Sequence, residues 1–213
     1  IKRLNVPDKI MLILESFYVN PQFRVKDREG KSSYRKQRSG IRQGCPLSPY
    51  LFVLLMTVLF HDVHQKVDHR IRIGQIEYFS HWELLYADDT LLLGKRAREI
   101  NILLHAIEEE CETYNLKLNR GKCEYIGMHG KADIKFKNGV RVKHASESVY
   151  LGSKIAGNGF REAEIQHRLS KALLTASRLK FFWKKTNASL KWKLLIYNAI
   201  IIAQVTYGLD VMH

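Results

Sequence analysis

The sequence lacks the features of several large protein classes. It has only three cysteines, widely spaced and without a CxxC pair, so neither a disulfide framework nor a zinc site is indicated. No apolar run approaches the roughly 20 residues that a membrane-spanning helix needs. The N-terminus has no initiator methionine and no signal-peptide design. We therefore expect an excised segment of an intracellular protein, nuclear or cytoplasmic, that is not secreted and has no membrane partner.

Acidic residues are scarce relative to basic ones. The 213 residues include 21 Asp and Glu against 35 Lys and Arg, which gives a net charge of +14. This excess favours a polyanionic partner, and nucleic acid is the first candidate. The composition, 46% hydrophobic and 26% charged, is otherwise that of a globular protein that can bury a substantial core.

Two adjacent carboxylates, Asp88 and Asp89, lie between two short apolar runs. That pattern predicts a strand, a tight turn and a second strand. Adjacent carboxylates repel each other and resist burial unless a cation neutralises them. Mg²⁺ takes one or two protein carboxylates and completes its coordination with water and phosphates. A solvated Asp-Asp turn is the plain alternative, which the dipeptide alone would favour.

A second motif, SGIRQGCPLSP, occupies residues 39–49. Gly40 and Gly44 permit close backbone approach to a ligand. Arg42 and Gln43 supply donors for phosphates or base edges. Taken alone, this loop would be interpreted as a simple connector before a helix.

Together, RQGCPLSP and YADD resemble the motifs of reverse transcriptases, and RQGCPLSP is the form carried by non-LTR (LINE-type) retrotransposon polymerases. The resemblance spans nearly all of the chain. It implies an RNA-directed DNA polymerase that uses two-metal nucleotidyl transfer, with two Mg²⁺ ions as cofactors and Mn²⁺ as a substitute. The implied partners are an RNA template, a DNA primer, deoxynucleoside triphosphates and other domains of a larger polyprotein.

The resemblance also assigns roles to individual residues. The implied catalytic residues are Asp88, Asp89 and Lys122, and the first two are the metal ligands. The family's first catalytic Asp aligns upstream of residue 1, so this fragment is expected to be inactive alone. The residues implied for nucleotide and template binding are Gly40, Arg42, Gln43, Gly44, Tyr86 and Ala87. Those implied for the primer grip are Tyr150, Leu151 and Gly152. Those expected to contact the duplex backbone are Arg168, Lys171, Arg178 and Lys184.

Plain structural roles stay open for two of these groups. Lys122 could be a solvated cation of a basic protein, and Tyr150–Gly152 could be a strand end with a turn glycine. His64 and its histidine neighbours are interpreted as solvated helix residues, because no cysteine or acid completes a metal set.

The expected fold is α+β. It consists of a right-hand polymerase palm, an antiparallel sheet with packed helices, followed by an α-helical thumb. Residues 1–157 would form the palm and part of the fingers, without the first catalytic block, and 158–213 a truncated thumb. Helices are predicted over about 50–67 and 96–114, with the glutamates of the latter largely outside its apolar stripe.

The remaining expectations concern the C-terminal half. We predict a hairpin at Asn138-Gly139 and one short strand over Ser148–Ile155. A first thumb helix would bury an apolar face that includes Ile165, Leu169 and Leu173. The aromatic residues assigned to the core are Phe181, Phe182, Trp183 and Trp192.

Two alternatives to the polymerase remain. The chain could be a non-catalytic nucleic-acid-binding remnant of the same fold. An RNA-templated RNA polymerase shares the palm but matches RQGCPLSP less well. An intact YADD favours a site selected for metal, because an unneeded Asp pair lowers stability by repulsion.

Overall fold

The computed structural model describes residues 2–38, 40–42, 44–67, 83–128, 130–159 and 162–208. The chain divides into two compact units. Unit 1 comprises Ile1–Lys95 and Ile102–Lys117, and unit 2 comprises Arg96–Asn101 and Leu118–His213. Helices mix with small sheets in both, which confirms the α+β class. The palm and thumb boundaries stay predictions.

Unit 1 contains three helices and two antiparallel hairpins among its described residues. Its elements in chain order are a 3₁₀ turn Lys2–Leu4, α1 Asp8–Tyr18, β1 Gln22–Phe23, β2 Arg35–Lys36, α2 Leu47–Val67, β3 Glu83–Tyr86, β4 Asp89–Leu92 and α3 Ala97–Thr113. Residues 97–101 at the start of α3 belong to unit 2.

The core of unit 1 lies between α2 and α3. Residues spaced three and four apart on each helix share one face. The buried side chains that meet there are Leu59, Phe60, Val63, Val67, Leu103, Ala106 and Ile107. This packing fixes α2, whose N-terminal end carries the glycine-containing loop.

Two glutamates of α3 are buried, contrary to the expectation for that helix. Glu108 is 4% and Glu110 5% exposed. Lys66 Nζ lies 2.5 Å from Glu110 Oε1, so a lysine on α2 neutralises the buried carboxylate. Burial of Glu110 is tolerated because a charge with a close partner has a far lower free-energy cost of burial than an isolated charge.

Asp62 on α2 forms a polar cluster with Arg3 and Tyr114 in unit 1. Arg3 donates to both carboxylate oxygens, at 2.6 and 2.5 Å, and Tyr114 Oη donates to Oδ2 at 2.6 Å. The Arg3 guanidinium, and then the Tyr114 hydroxyl, hold the pKa of Asp62 well below its usual range. The cluster ties the N-terminal turn to α2 and to the residue after α3.

Replacing Asp62 by Asn is expected to lower the free energy of unfolding at pH 7 by about 1 kcal/mol, because Arg3 is half exposed and the pair is partly screened. The folded pKa is lowered, so the stabilisation is fully present above the unfolded value of about 4 and declines below it. Urea titrations at pH 7 and pH 3 measure the gap between parent and variant. Glu112→Gln on exposed α3 surface is the control, and an equal Asp62→Asn gap at both pH values would contradict this account.

Unit 2 contains small sheets followed by helices. Its elements in chain order are β5 Glu124–Tyr125, β6 Lys143–His144, β7 Glu147–Tyr150, β8 Ser153–Ala156, α4 Glu162–Arg178, α5 Lys180–Lys185, α6 Leu190–Ile196, a π-helical segment Tyr197–Ile202 and α7 Ala203–Thr206. β5 pairs with β6 in parallel, and β7 pairs with β8 antiparallel.

The segment predicted as one strand over Ser148–Ile155 is a hairpin. β7 and β8 pair from Glu147 with Ala156 to Tyr150 with Ser153, which leaves Leu151 and Gly152 as the turn. The Asn138-Gly139 turn is confirmed: Gly139 has φ 82°, and its N–H donates to Phe136 O at 2.9 Å.

The face that α4 buries differs from the predicted one. Ala172 is buried together with Glu164 and Arg168, whereas Leu173, which was expected on the buried face, is 71% exposed. The aromatic prediction is also wrong for Phe181 and Trp192, which are exposed. None of the described helices is both long enough and apolar enough to span a membrane.

Candidate active site

The YADD segment forms the tip of the β3–β4 hairpin. Tyr86 pairs with Asp89, so Ala87 and Asp88 make a two-residue turn. Ala87 has φ 52°, in the left-handed region that non-glycine residues rarely adopt. A positive φ at the first turn residue matches the twist of two-residue hairpins. The predicted strand, turn and strand are confirmed.

Both carboxylates of the tip are exposed, and among the described residues neither has an ion-pair or hydrogen-bond partner for its side chain. No cation in the described part of the chain therefore neutralises these two like charges on consecutive positions. Oxygen ligands open to solvent suit a divalent cation that keeps water and phosphate ligands. The two residues fit a metal, although no group of three potential ligands occurs in the part of the chain that is described.

The base of the same hairpin contacts α2. His64 Nε2 lies 2.8 Å from Glu83 Oε1, and the Glu83 side chain is 8% exposed. The sequence predicts a solvated helix residue at His64, whereas the structure places its side chain against Glu83. Because Glu83 begins β3, this contact lies at the start of the strand that ends at the YADD turn.

The glycines of the SGIRQGCPLSP loop adopt the conformation for which glycine is suited. Gly40 and Gly44 have φ 80° and 79°, and a Cβ at either would meet no atom within 4 Å. Arg42 Nη2 donates to Phe17 O at 2.8 Å, so its guanidinium already binds a carbonyl in the last turn of α1. Gln43, predicted to bind nucleotide or template, lies outside the described residues.

A pocket of about 400 Å³ lies where this loop enters α2. The residues that line it are Ile41, Arg42, Gly44, Cys45, Pro46, Ser48 and Pro49. The Leu47 backbone N–H lowers the pKa of the Cys45 thiol. The Leu47 N–H is thus engaged by the thiol, and the Ser48 N–H donates to Cys45 O at 3.1 Å.

Two further predicted groups belong to unit 2. Lys122 is exposed at the end of a turn in which its N–H donates to Asn119 O at 2.9 Å. Tyr150, Leu151 and Gly152 form the tip of the β7–β8 hairpin. The proposed roles of these residues stay predictions.

The four cations assigned to the duplex backbone differ in environment. Lys171, Arg178 and Lys184 are exposed, and Lys171 and Arg178 are two helical turns apart on α4. Arg168 is 4% exposed and binds Glu164, so the prediction of a solvent-facing cation is wrong for it. The spacing of four between Glu164 and Arg168 is the sequence signal that indicates such a pair.

A family model described as reverse transcriptase (RNA-dependent DNA polymerase) matches residues 1–155. The RNA-directed DNA polymerase from mobile element jockey of Drosophila melanogaster is 26% identical over 222 residues, which cover 99% of the chain and 23% of that protein.

Two Pol polyproteins also match. The retrovirus-related Pol polyprotein from type-2 retrotransposable element R2DM of Drosophila melanogaster is 29% identical over 114 residues, 54% of the chain and 10% of that protein. The one from type-1 retrotransposable element R2 of Nasonia vitripennis is 23% identical over 128 residues, 60% of the chain and 12% of that protein. The chain thus spans less than a quarter of the length of these relatives. No solved structure matches it significantly.

Proposed function

The chain belongs to the reverse transcriptase (RNA-dependent DNA polymerase) family, and we propose that it acts in an RNA-directed DNA polymerase of a non-LTR retrotransposon, with metal held at Asp88 and Asp89. The observation that carries this proposal is the pair of exposed carboxylates at the tip of the β3–β4 hairpin, next to the left-handed Ala87, for which no described residue supplies an ion-pair partner. An unusual backbone conformation that the surrounding structure maintains is typical of functional sites.

Divalent metal ions, when bound, would activate the primer 3′-hydroxyl and neutralise the triphosphate and its leaving group. Asp88 and Asp89 supply the oxygen ligands. The small side chain of Ala87 leaves room for the primer terminus beside the turn, and Tyr86 precedes it on β3. Substrates are deoxynucleoside triphosphates, copied from RNA onto a DNA primer. Mg²⁺ is the proposed ion and Mn²⁺ its substitute.

The loop that contains Gly40 and Gly44 is proposed to lie against the template strand and the incoming nucleotide. Both glycines leave open space where a side chain would otherwise project, so a base or phosphate can approach the backbone. The pocket of about 400 Å³ at the start of α2, which Gly44 helps to line, leaves further room for a ligand beside this loop. Arg42 contributes by holding the loop to α1.

By resemblance, the family's first catalytic Asp aligns before residue 1. We therefore propose that the 213-residue chain alone binds primer–template duplex and extends primers feebly. The exposed cations of α4 and α5 supply phosphate contacts without sequence preference. Further carboxylate ligands come from a longer polymerase chain that carries these residues.

Lys122 is proposed to meet the triphosphate or to protonate the leaving pyrophosphate. In a polymerase chain that carries these residues, Lys122→Ala is expected to slow incorporation by about 100-fold, the usual worth of a positioned general acid. The Mg²⁺ concentration that gives half-maximal rate should stay unchanged, because Lys122 does not build the metal site. Single-turnover incorporation at saturating duplex measures both quantities.

The control is Lys117→Ala, another exposed lysine near Lys122 in the sequence, which should leave the rate within about twofold. If the Lys122→Ala enzyme kept the parental rate, Lys122 would be a solvated cation without a role in incorporation.

A further inference from the structure

Two opposite charges are buried side by side on α4. Glu164 is 2% and Arg168 4% exposed, and Arg168 Nε donates to Glu164 Oε1. Both charges are removed from water, so the orientation of each depends on the groups that contact it. The contacts of this pair lead to the hairpin proposed to grip the primer.

The pair clamps the first two residues of β8. The Lys154 backbone N–H donates to Glu164 Oε2 at 2.5 Å, and Arg168 Nη2 donates to Ser153 Oγ at 3.2 Å. Both bonds reach the strand immediately after the Leu151–Gly152 turn. The charged pair on α4 therefore fixes the position of the first two residues of β8, directly after the turn.

Tyr207 holds the turn itself. The Arg168 guanidinium carbon lies 5.6 Å from the centroid of the Tyr207 ring, and Tyr207 Oη donates to Leu151 O at 3.2 Å. A Cβ at Gly152 would lie 3.6 Å from Tyr207 Cε1. One aromatic side chain thus connects Arg168 to both residues of the turn.

The turn needs this outside support because of its sequence. Leu151 and Gly152 have φ 49° and 82°, and two successive positive φ values define a type I′ turn. Asn-Gly or Asp-Gly suits such a turn, whereas a bulky leucine in the left-handed region is unfavourable. Contacts from the surrounding structure must maintain the conformation, as is common where a backbone segment binds a ligand.

A contribution to stability does not by itself explain why this ion pair is buried. Apolar residues of similar volume often stabilise a protein as well as a buried ion pair does, and the pair's advantage is a defined geometry. Arg168 Nη1 is buried and has no hydrogen-bond partner among the described residues, which adds a desolvation cost to the free energy of folding. What Glu164 and Arg168 supply is a single orientation of Ser153, Lys154 and the Tyr207 ring.

We infer that Glu164, Arg168 and Tyr207 are positioning residues that fix the tip of the β7–β8 hairpin and thereby the primer 3′ terminus. The inference rests on the proposed function, because the tip is assigned to the primer through the polymerase resemblance. Nucleotidyl transfer requires the 3′-hydroxyl within attack distance, and a displacement of 1 Å can lower the rate by about 100-fold.

The test compares two variants in a polymerase chain that carries these residues. Tyr207→Phe removes the bond to Leu151 and keeps the ring, and Tyr197→Phe is the matched control, since Tyr197 is 43% exposed and shows no side-chain hydrogen bond among the described residues. Glu164→Leu with Arg168→Met replaces the pair by apolar residues of similar size. The measurements are single-turnover incorporation at saturating duplex and nucleotide, the duplex Kd, and the melting temperature.

Incorporation is expected to fall about tenfold for Tyr207→Phe and about 100-fold for the double variant. The duplex Kd should stay within about twofold, and the melting temperature should be unchanged or raised. A role in stability alone would lower the melting temperature and weaken duplex binding in parallel with the rate. That parallel loss, or a double variant with the parental rate, would overturn the inference.

Amide hydrogen exchange on the 213-residue chain tests the positioning role of Tyr207 separately from the proposed polymerase function. Tyr207→Phe should speed exchange in residues 151–153 while leaving residues 134–142 unchanged. If the parent polymerase fails to incorporate nucleotides, the proposed function fails, yet faster exchange at 151–153 would still show that the Tyr207 bond to Leu151 O holds the turn. Unchanged exchange there would overturn the role of Tyr207 in holding the turn, whether or not the parent is active.

Discussion

Asp88→Asn is expected to reduce nucleotide incorporation by about a thousandfold in a polymerase chain that carries these residues. Asparagine keeps the size of the side chain but removes the charge that holds a divalent cation. A metal that activates the nucleophile and neutralises developing charge contributes several kcal/mol, and about 4 kcal/mol corresponds to a thousandfold in rate. Incorporation is measured at saturating primer–template and nucleotide.

The same change should leave duplex binding intact or slightly stronger. One negative charge fewer at the tip reduces repulsion of the phosphate backbone. Glu29→Gln, at the exposed tip of the β1–β2 hairpin, is the matched control and should keep the parental rate. Near-parental incorporation by Asp88→Asn would mean that Asp88 is not a catalytic metal ligand, and the binding remnant would become the better hypothesis.

Replacing Lys171, Arg178 and Lys184 together by Gln is expected to weaken duplex binding by roughly 500-fold at 0.1 M salt. Each lost phosphate contact removes about 0.9 from the slope of log affinity against log salt, which is about eightfold at that concentration. The slope should therefore flatten by about 2.7, and to the same extent for every duplex sequence. Titrations between about 0.05 and 0.3 M salt measure both quantities.

The control removes the same charge elsewhere. Lys26, Lys31 and Arg35 lie in the β1–β2 hairpin region, and their joint replacement by Gln should alter the slope much less. Equal losses from both triple variants would mean that net charge, and not the surface of α4 and α5, determines binding.

The sequence predicted best the elements whose signals are local. The apolar runs beside Asp88 and Asp89 specify the hairpin, and the glycine of Asn138-Gly139 specifies its turn. The Leu151–Gly152 turn carries no comparable signal, because leucine is unfavourable at its position. The sequence pattern therefore predicts one strand where the structure has two.

The errors in helix faces have a common cause. On α4, two stripes compete for burial, one apolar with Leu173 and one charged with Glu164 and Arg168. The charged stripe is buried because its partners lie in β8 and at Tyr207, which no local pattern reveals. Glu110 is buried for the same reason, since its partner Lys66 lies on another helix.

The resemblance of two short motifs specified the family, and the match over residues 1–155 confirms it. It also named Arg168 as a duplex contact, which the structure corrects. A family motif identifies the residues at a turn or a strand end, where backbone and chemistry are linked. It does not specify which cation of a basic helix turns inward, because that depends on the packing of each chain.

The most direct test of the polymerase account is primer extension on an RNA template with one deoxynucleotide at a time. A polymerase chain that carries these residues should add only the nucleotide complementary to the template base. The addition should require Mg²⁺ or Mn²⁺, and the 213-residue chain alone should bind the same duplex with little extension. Addition that ignores the template base or persists in chelator, or duplex binding without extension by any chain that carries the segment, would contradict the account.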